Sequence, residues 1–121
     1  MSYRIFVSYS TKDLAIVNKL VECLKGGVPL LDIYVGEYKT PIGSIFARDI
    51  VDSIWHCDTF IVLWSFNSLA SKWVQFETFL AYGLGKEIIP IKLNAEVEMP
   101  DYLQSIEWAR LLRECTKENG S

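Results

Sequence analysis

The stretch Thr59-Phe60-Ile61-Val62-Leu63-Trp64-Ser65 decides the fold of this chain. Its middle five residues are all apolar, so the run has no alternation between an apolar and a polar face. It is also far shorter than the ~20 residues that a membrane-spanning helix needs. Short runs of this kind are typical of a central strand in a parallel sheet, because helices cover such a strand on both faces. We therefore expect a buried parallel strand here.

Segments with helical spacing flank this strand on both sides. Before it, Ser44 can cap a second helix whose apolar stripe consists of Phe46, Ala47, Ile50, Val51 and Ile54. After it, residues 68–71 form a capping region, and a third helix is predicted over residues 72–84. The next segment, residues 88–93, predicts a fourth strand. Its Pro90 lacks an N–H group, which indicates a strand near an edge of the sheet or an irregular ladder.

The N-terminal part shows the same alternation of strand and helix. The predicted elements are a strand over residues 5–9, a capping segment over 10–13, a helix that ends at Gly26-Gly27, and a second strand over 30–35. After Pro100 the pattern predicts a short helix and a fifth strand near residues 106–108. This order predicts an α/β fold with a five-stranded parallel sheet and helices on both faces, in three layers. Ligands of such sheets bind at the carboxyl ends of the strands, here the loops 8–13, 36–44 and 65–72.

Composition limits the classes of partner. The 121 residues suit one domain, 1–121, which could also be a piece cut from a longer protein. The net charge of −3 argues against non-specific binding to nucleic acid. The N-terminus enters a strand at once and shows no signal peptide, so we predict a cytoplasmic protein without a membrane partner. Three cysteines without a C-x-x-C pair suit reduced thiols.

Several familiar sites of α/β proteins are missing from the sequence. The first strand leads into Ser8-Tyr9-Ser10 without the glycines of a phosphate-binding loop. Gly83-Leu84-Gly85 follows a helix and is better explained as its end. His56 is the only histidine, which leaves neither a spaced metal-ligand set nor a Ser-His-Asp triad. We therefore predict no metal and no bound cofactor.

The third helix carries the most informative residue, Glu77. Apolar residues surround this helix on almost every side, which is typical of a helix buried on more than one side. Trp73 and Glu77 are four residues apart and so share a face. One interpretation is that Glu77, with Gln75 and Thr78, marks the solvent side of the helix. The other is that Glu77 is a carboxylate at the rim of a cleft with aromatic walls.

Five segments in order carry a family resemblance. They are Ile5 to Ser10 followed by Asp13, Tyr38 to Ser53 with Pro41 and Gly43, Phe60 to Ser65, Trp73 to Glu77, and Ile88 to Ile91. In this order and spacing they resemble the first box, the BB loop with the second helix, the third strand, the W-x-x-x-E element and the following strand of a Toll/interleukin receptor homology (TIR) domain. The resemblance is to the compact prokaryotic kind and its NAD-cleaving branch. It implies a flavodoxin-like arrangement of the predicted sheet.

For that branch, the resemblance implies cleavage of the nicotinamide–ribose bond of NAD+, which gives nicotinamide and ADP-ribose or a cyclic variant. NAD+ would then be a substrate rather than a cofactor. Glu77 aligns with the catalytic glutamate, and Phe46 with an aromatic residue near the substrate. Trp73 would form a wall of the site, and Ser8, Tyr9, Ser10 and Ser44 could contact the nucleotide. Phe46 and Trp73 could equally be core residues, and Ser8 and Ser10 could simply cap the first helix.

Two features depart from the family pattern. The first loop lacks the arginine that some members place after the aromatic residue, and the C-terminal phenylalanine-tryptophan box is not evident. The resemblance also implies homotypic self-association in signalling or defence, with a possible accessory domain or effector. The alternative function is therefore a non-enzymatic assembly module, for which the apolar third helix and residues 42–46 are candidate surfaces.

Overall fold

A parallel sheet forms the centre of the part of the chain that the computed structural model describes, residues 3–27, 31–35 and 46–104. The described strands are β1 Tyr3–Ser8, β2 Leu31–Val35, β3 Thr59–Trp64 and β4 Glu87–Lys92. Their order in the sheet is β2-β1-β3-β4, and each neighbouring pair is parallel. The predicted parallel α/β fold is confirmed. The fifth strand predicted near residues 106–108 lies outside the described residues.

The helices follow the strands in the predicted order. They are a 3-10 turn Thr11–Asp13, α1 Leu14–Gly27, α2 Phe46–His56, α3 Phe66–Leu69, α4 Lys72–Gly83 and α5 Asp101–Gln104. Helix α3 corrects the prediction of a plain loop between β3 and α4. Ser65 and Ser68 form a reciprocal capping box there, in which each side chain accepts from the other residue's backbone N–H.

The two faces of the sheet bury two separate apolar clusters. Phe6, Phe60 and Val62 face the cluster that includes side chains of α2 and α4. Val7 and Ile61 face the other cluster, which includes side chains of α1. All six residues of β3 are buried, as expected for a central strand covered on both sides. Each fully buried aliphatic or aromatic side chain contributes about 1.5–3 kcal/mol, so these two clusters hold the helices against the sheet.

The glycines after α4 and the proline in β4 lie where the sequence predicts them to matter. Helix α4 ends at Gly83, and Gly85 has a φ of +70°, a conformation that glycine adopts without steric cost. Pro90 pairs in register with Val62 of β3, and β4 forms one end of the described sheet. Within the described ranges, no helix is both long and apolar enough to span a bilayer.

The cysteines partly contradict the prediction of reduced thiols. Cys57 is free and buried, but Cys23 is disulfide-bonded. Burial is the main cause that raises the pKa of the Cys57 thiol. Cys57 is therefore an inert packing residue rather than a reactive thiol.

Candidate functional site

Glu77 lies on the inner side of α4, against the carboxyl end of β1. The side chain has 0% exposure, and its Oε1 accepts a hydrogen bond of 2.7 Å from Oγ of Ser8, which is equally buried. Thr78 is also fully buried. These positions overturn the interpretation that Glu77 and Thr78 mark a solvent side of the helix. A buried carboxylate needs such a donor, because burial of an unsatisfied charge costs several kcal/mol.

The cap and the packing of α4 explain why Glu77 points inward. Ser71 caps the helix by accepting from the backbone N–H of Val74 at 3.3 Å, which fixes where the first turn begins. Val74 and Ala81 are fully buried and lie three residues before and four residues after Glu77. Residues at this spacing share one helix face. Because Val74 and Ala81 belong to the core cluster, Glu77 is carried into the interior with them.

Tyr34 on β2 lies within the electrostatic field of this carboxylate. Its ring stacks on Phe6 at a centroid distance of 5.0 Å. Burial is the largest cause that raises the pKa of Tyr34, the negative charges of Glu77 and Asp49 raise it further, and a hydrogen bond with Ser53 lowers it. Its phenol therefore stays neutral at physiological pH and can donate a proton in a hydrogen bond.

A cleft of about 310 Å³ opens at the carboxyl ends of β1 and β3. Residues 10–12 of the first loop line one side, and Phe66, Asn67, Ala70, Ser71 and Trp73 complete the lining. Trp73 is only 9% exposed and also packs edge-on against Phe76, at 6.1 Å between centroids. Phe66 by contrast is exposed. The cleft thus combines two aromatic rings with hydroxyl groups, an amide and the ammonium group of Lys12.

A second buried carboxylate, Asp13, joins the two loops that line this cleft. Its Oδ2 accepts from Oγ of Ser65 at 2.5 Å, and its Oδ1 accepts from Nδ2 of Asn67 at 2.9 Å. Ser68 in turn donates from Oγ to the carbonyl of Leu63 at 2.6 Å, which ties α3 to the end of β3. The loops after β1 and β3 are therefore held together by side-chain hydrogen bonds.

Comparison with known protein families decides what kind of domain this is. The family model described as TIR domain matches residues 5–120. The chain belongs to the TIR domain family. No curated protein sequence matches it as a relative.

Solved structures give the same fold at low sequence identity. The TIR domain of the Toll-related receptor TRR-2 from Hydra magnipapillata superposes with a TM-score of 0.71 at 23% identity, covering 97% of this chain and 98% of that one. The TIR domains of the activated Roq1 resistosome give 0.63 at 16%, covering 99% and 72%. The CMP N-glycosidase BcmB of Clostridium botulinum gives 0.63 at 18%, covering 96% and 98%. At these identities the likeness shows the fold alone.

The predicted site residues of this TIR domain fall into different places. Trp73 and Ser10 line the cleft, and Ser10 also caps the 3-10 turn by accepting from the N–H of Lys12 at 3.3 Å. Ser8 points to Glu77 instead of the cleft. Tyr9 is buried in the core cluster on the α1 side, away from the predicted nucleotide contact. Phe46 begins α2, but its side chain, like all of Ser44, lies outside the described part of the structure.

Sequence reasoning missed Lys12, Asp13, Phe66, Asn67 and Tyr34 as site residues. Four of them lie in the predicted ligand loops, 8–13 and 65–72, so a survey of polar and aromatic residues in those loops would have found them. Tyr34 lies within a strand and has no comparable signal.

A larger hollow of about 410 Å³ lies along β1, β2 and α2. Arg4, Asp32, Asp52 and His56 are among its lining residues, and so is Tyr34, which does not line the cleft. None of the site residues predicted from the sequence lines this hollow. His56 forms a hydrogen bond of 2.8 Å from Nδ1 to the carbonyl of Asp52, one turn earlier in its own helix. Among the described residues, no three His, Cys, Asp or Glu side chains gather as a metal site.

Proposed function

We propose that this TIR domain cleaves the nicotinamide–ribose bond of NAD+, with Glu77 as the catalytic carboxylate and nicotinamide and ADP-ribose, or a cyclic variant, as products. The observation that carries the proposal is the position of Glu77. Its carboxylate is wholly buried, is oriented by Ser8 at the carboxyl end of β1, and lies one helical turn after Trp73, a wall of the cleft. Packing alone does not call for a charged group at such a position.

The chemistry needs few groups. Breaking a bond between ribose and a base passes through an oxocarbenium-like transition state, as in glycoside hydrolysis. Nicotinamide leaves NAD+ as a neutral molecule from a cationic ring, so no strong general acid is needed. The anomeric carbon of the ribose then bonds to water, which loses a proton and gives ADP-ribose, or to a nucleophilic group of the same molecule, which gives the cyclic variant. A preorganised carboxylate next to the ribose stabilises the developing positive charge, and it does so more strongly in a water-poor site than in solution. Glu77 has the charge and the environment for this role.

Access to Glu77 requires a rearrangement. The carboxylate is not exposed and does not line the 310 Å³ cleft, so NAD+ reaches it only after α4 or a neighbouring loop moves. Self-association is the event that we propose drives this movement. Dilute protein is then mainly inactive, and concentrated or crowded protein is active. A specific activity that does not change with concentration would contradict this part of the proposal.

Two proteins of similar fold support the reaction class. One is named a CMP N-glycosidase, and another, from Leishmania mexicana, is named a 2-deoxyribosyltransferase. The latter superposes with a TM-score of 0.57 at 19% identity over 82% of this chain and 75% of that one. One name concerns an N-glycosidic bond, and the other concerns the transfer of a deoxyribosyl group. The fold is therefore compatible with this chemistry, while the choice of NAD+ rests on Glu77 and Trp73.

The test measures the rate of nicotinamide release by the concentrated wild-type protein and by the Glu77→Gln variant at the same concentration. Glutamine keeps the volume of the side chain and its bond with Ser8 but removes the charge. We expect release to fall by about 10²–10³-fold, the usual effect of losing one electrostatic stabiliser of a transition state. Glu22→Gln, an exposed position on α1, is the matched control and should leave release unchanged. Equal activity of Glu77→Gln and the wild type would refute the role of Glu77.

The second candidate function is a non-enzymatic assembly module in signalling or defence. The observation in its favour is the outer face of α4, where Phe79 and Tyr82 are 67% and 50% exposed. Large exposed aromatic side chains that lie together are typical of interaction surfaces. The activated Roq1 resistosome, which contains TIR domains of similar fold, is described as directly recognising a pathogen effector. A folded, self-associating protein that never releases nicotinamide would favour this function, whose partners would be copies of the domain and an accessory domain or effector.

The cytoplasmic location remains a prediction. The disulfide at Cys23 is more typical of an oxidising compartment, because cytosolic thiols are kept reduced. Fractionation of cells that produce the protein, together with thiol labelling of Cys23, would decide the compartment.

A further inference from the structure

Asp13 differs from Glu22, the other acidic residue of the first loop and α1, because Asp13 is buried and bonded across the chain while Glu22 is exposed. It is 6% exposed, and its partners Ser65 and Asn67 are more than 50 positions away in the sequence. Its own backbone N–H donates to the carbonyl of Ser10 at 2.8 Å, which closes the 3-10 turn. One carboxylate therefore fixes its own loop locally and a second loop at long range.

The two loops that Asp13 joins are the two sides of the cleft. Residues 10–12, directly before Asp13, line one side, and Asn67 lines the other. Asn67 donates its amide N–H to Asp13, so the bond sets the distance between the sides as well as the orientation of that amide. Ser65 extends the connection into the capping box of α3, whose first residue is the exposed Phe66.

The groups held in this way suit a phosphate-bearing nucleotide. Among the described residues that line the cleft, Lys12 is the one cation. Its ammonium group can bind a phosphate as a point charge. The exposed ring of Phe66 offers a flat surface on which a base can stack, while the nearly buried Trp73 forms part of the wall of the cleft. A volume of about 310 Å³ suits one nucleotide unit of a dinucleotide rather than the whole molecule.

We propose that Asp13 is a positioning residue for substrate binding: its carboxylate holds the 3-10 turn that carries Lys12 against helix α3, which carries Asn67, and so preforms the cleft that receives one phosphate-bearing nucleotide unit of the substrate. This inference rests on the proposed function, since it takes NAD+ as the dinucleotide. Asp13 does not touch the reacting atoms. A preformed cleft lowers the ordering cost of binding, so the loss of Asp13 weakens affinity and leaves the bond-breaking step intact.

A purely structural role for Asp13 is the competing explanation. Asp13 directly precedes α1, and a negative charge at the N-terminus of a helix stabilises the helix. Such a role would change the melting temperature without changing affinity for substrate. The two roles therefore separate in a comparison of KM with kcat.

The experiment measures KM and kcat for nicotinamide release in Asp13→Asn and in Asn67→Ala. Asparagine keeps the size of the side chain but loses the charge and the capacity to accept from both donors. We expect KM to rise about tenfold in each variant, with kcat nearly unchanged, the kinetic signature of lost binding. The double variant should be no worse than either single one, because both remove the same connection. Asp52→Asn, at an exposed carboxylate on α2, is the control.

Calorimetric titration of NAD+ into Glu77→Gln separates this inference from the proposed function. If NAD+ binds to Glu77→Gln, and Asp13→Asn in that background weakens the Kd about tenfold, the positioning role stands, whether or not the wild type cleaves NAD+. If Asp13→Asn lowers the melting temperature but leaves Kd and KM unchanged, the role is structural and the inference is wrong. If NAD+ binds but is never cleaved, only the proposed catalysis fails. If no NAD+ binds, both fail.

Discussion

Each face of α4 carries residues that an ordinary surface helix would place on the opposite face. The inner face carries a carboxylate, Glu77, at 0% exposure, bonded to Ser8. The outer face carries Phe79 and Tyr82, both exposed, with the ring of Tyr102 of α5 packed against them at 6.1 and 4.7 Å between centroids. Surface helices usually bury their apolar residues and expose their charges. Here stability is given up on both faces of one helix.

The difference indicates that the two faces serve different purposes. A buried charge costs free energy, and so does an exposed aromatic ring, so neither is explained by packing. The inner face fits the chemistry proposed for NAD+, whereas the outer face fits contact with another protein surface. An enzyme that depends on assembly would need both. Substitutions that act on one face and leave the other intact can test this division.

The largest expected difference between the two faces is the loss of unfolding free energy when an aromatic side chain is removed. Trp73→Ala removes a nearly buried ring from the core cluster and should lower the free energy of unfolding by about 3–5 kcal/mol. Phe79→Ala removes an exposed ring and should change it by no more than about 1 kcal/mol. Urea denaturation of the two variants measures both values. Similar losses would mean that the outer face is part of the core after all.

A smaller effect is expected at the hydrogen bond between Ser8 and Glu77. Ser8→Ala leaves the buried carboxylate without this donor and should cost about 1–3 kcal/mol of stability. The orientation of Glu77 should loosen, so kcat for nicotinamide release should fall about tenfold or more. Ser8→Thr keeps the hydroxyl group and is the rescue variant. If Ser8→Ala lost stability but kept full kcat, Ser8 would serve packing and not catalysis.

The smallest effect is expected on the outer face. The double substitution Phe79→Ser with Tyr82→Ser should leave the unfolding free energy within about 1 kcal/mol but weaken self-association several-fold, because the exposed rings provide the contact area. Sedimentation velocity over a range of concentrations measures the association. Trp55→Ser is the matched control, since Trp55 is an exposed aromatic residue on a different helix. Equal weakening by Trp55→Ser would show that the effect is not specific to α4.

The sequence predicted the described strands and the main helices because their patterns are local. The apolar run of β3 and the caps and glycine ends of α4 each depend on neighbours within a few positions. Helix α3 was missed because serines before a helix look the same as serines in a loop until the two capping bonds form. The burial of Tyr9 on the α1 side of the sheet could have been expected from the alternation of side chains along a strand. Ser8 and Tyr9 are consecutive in an extended segment and so point to opposite faces.

The candidate site was only partly predictable, for a different reason. Trp73 begins the apolar pattern of the third helix, and Glu77 interrupts it. Both residues also match a family motif, so they could be recognised in the sequence. Asp13 belongs to the segments that resemble the family, but its role in the site was not predictable, since an acidic residue before a helix is an ordinary capping choice. Its importance depends on Ser65 and Asn67, which belong to a different loop.

The sequence by itself determined the order of strands and helices, the parallel sheet and the presence of one unusual carboxylate in an apolar helix. Which side of that helix faces inward was decided only by the tertiary structure. Apolar residues surround α4 on nearly every side, so its own periodicity does not choose between burying Glu77 and exposing it. The choice follows from the packing of Val74 and Ala81 into the core cluster, and β1, about 70 residues earlier in the chain, places Ser8 opposite the carboxylate. Contacts between such distant residues follow from the packing of strands and helices, and no local pattern encodes them.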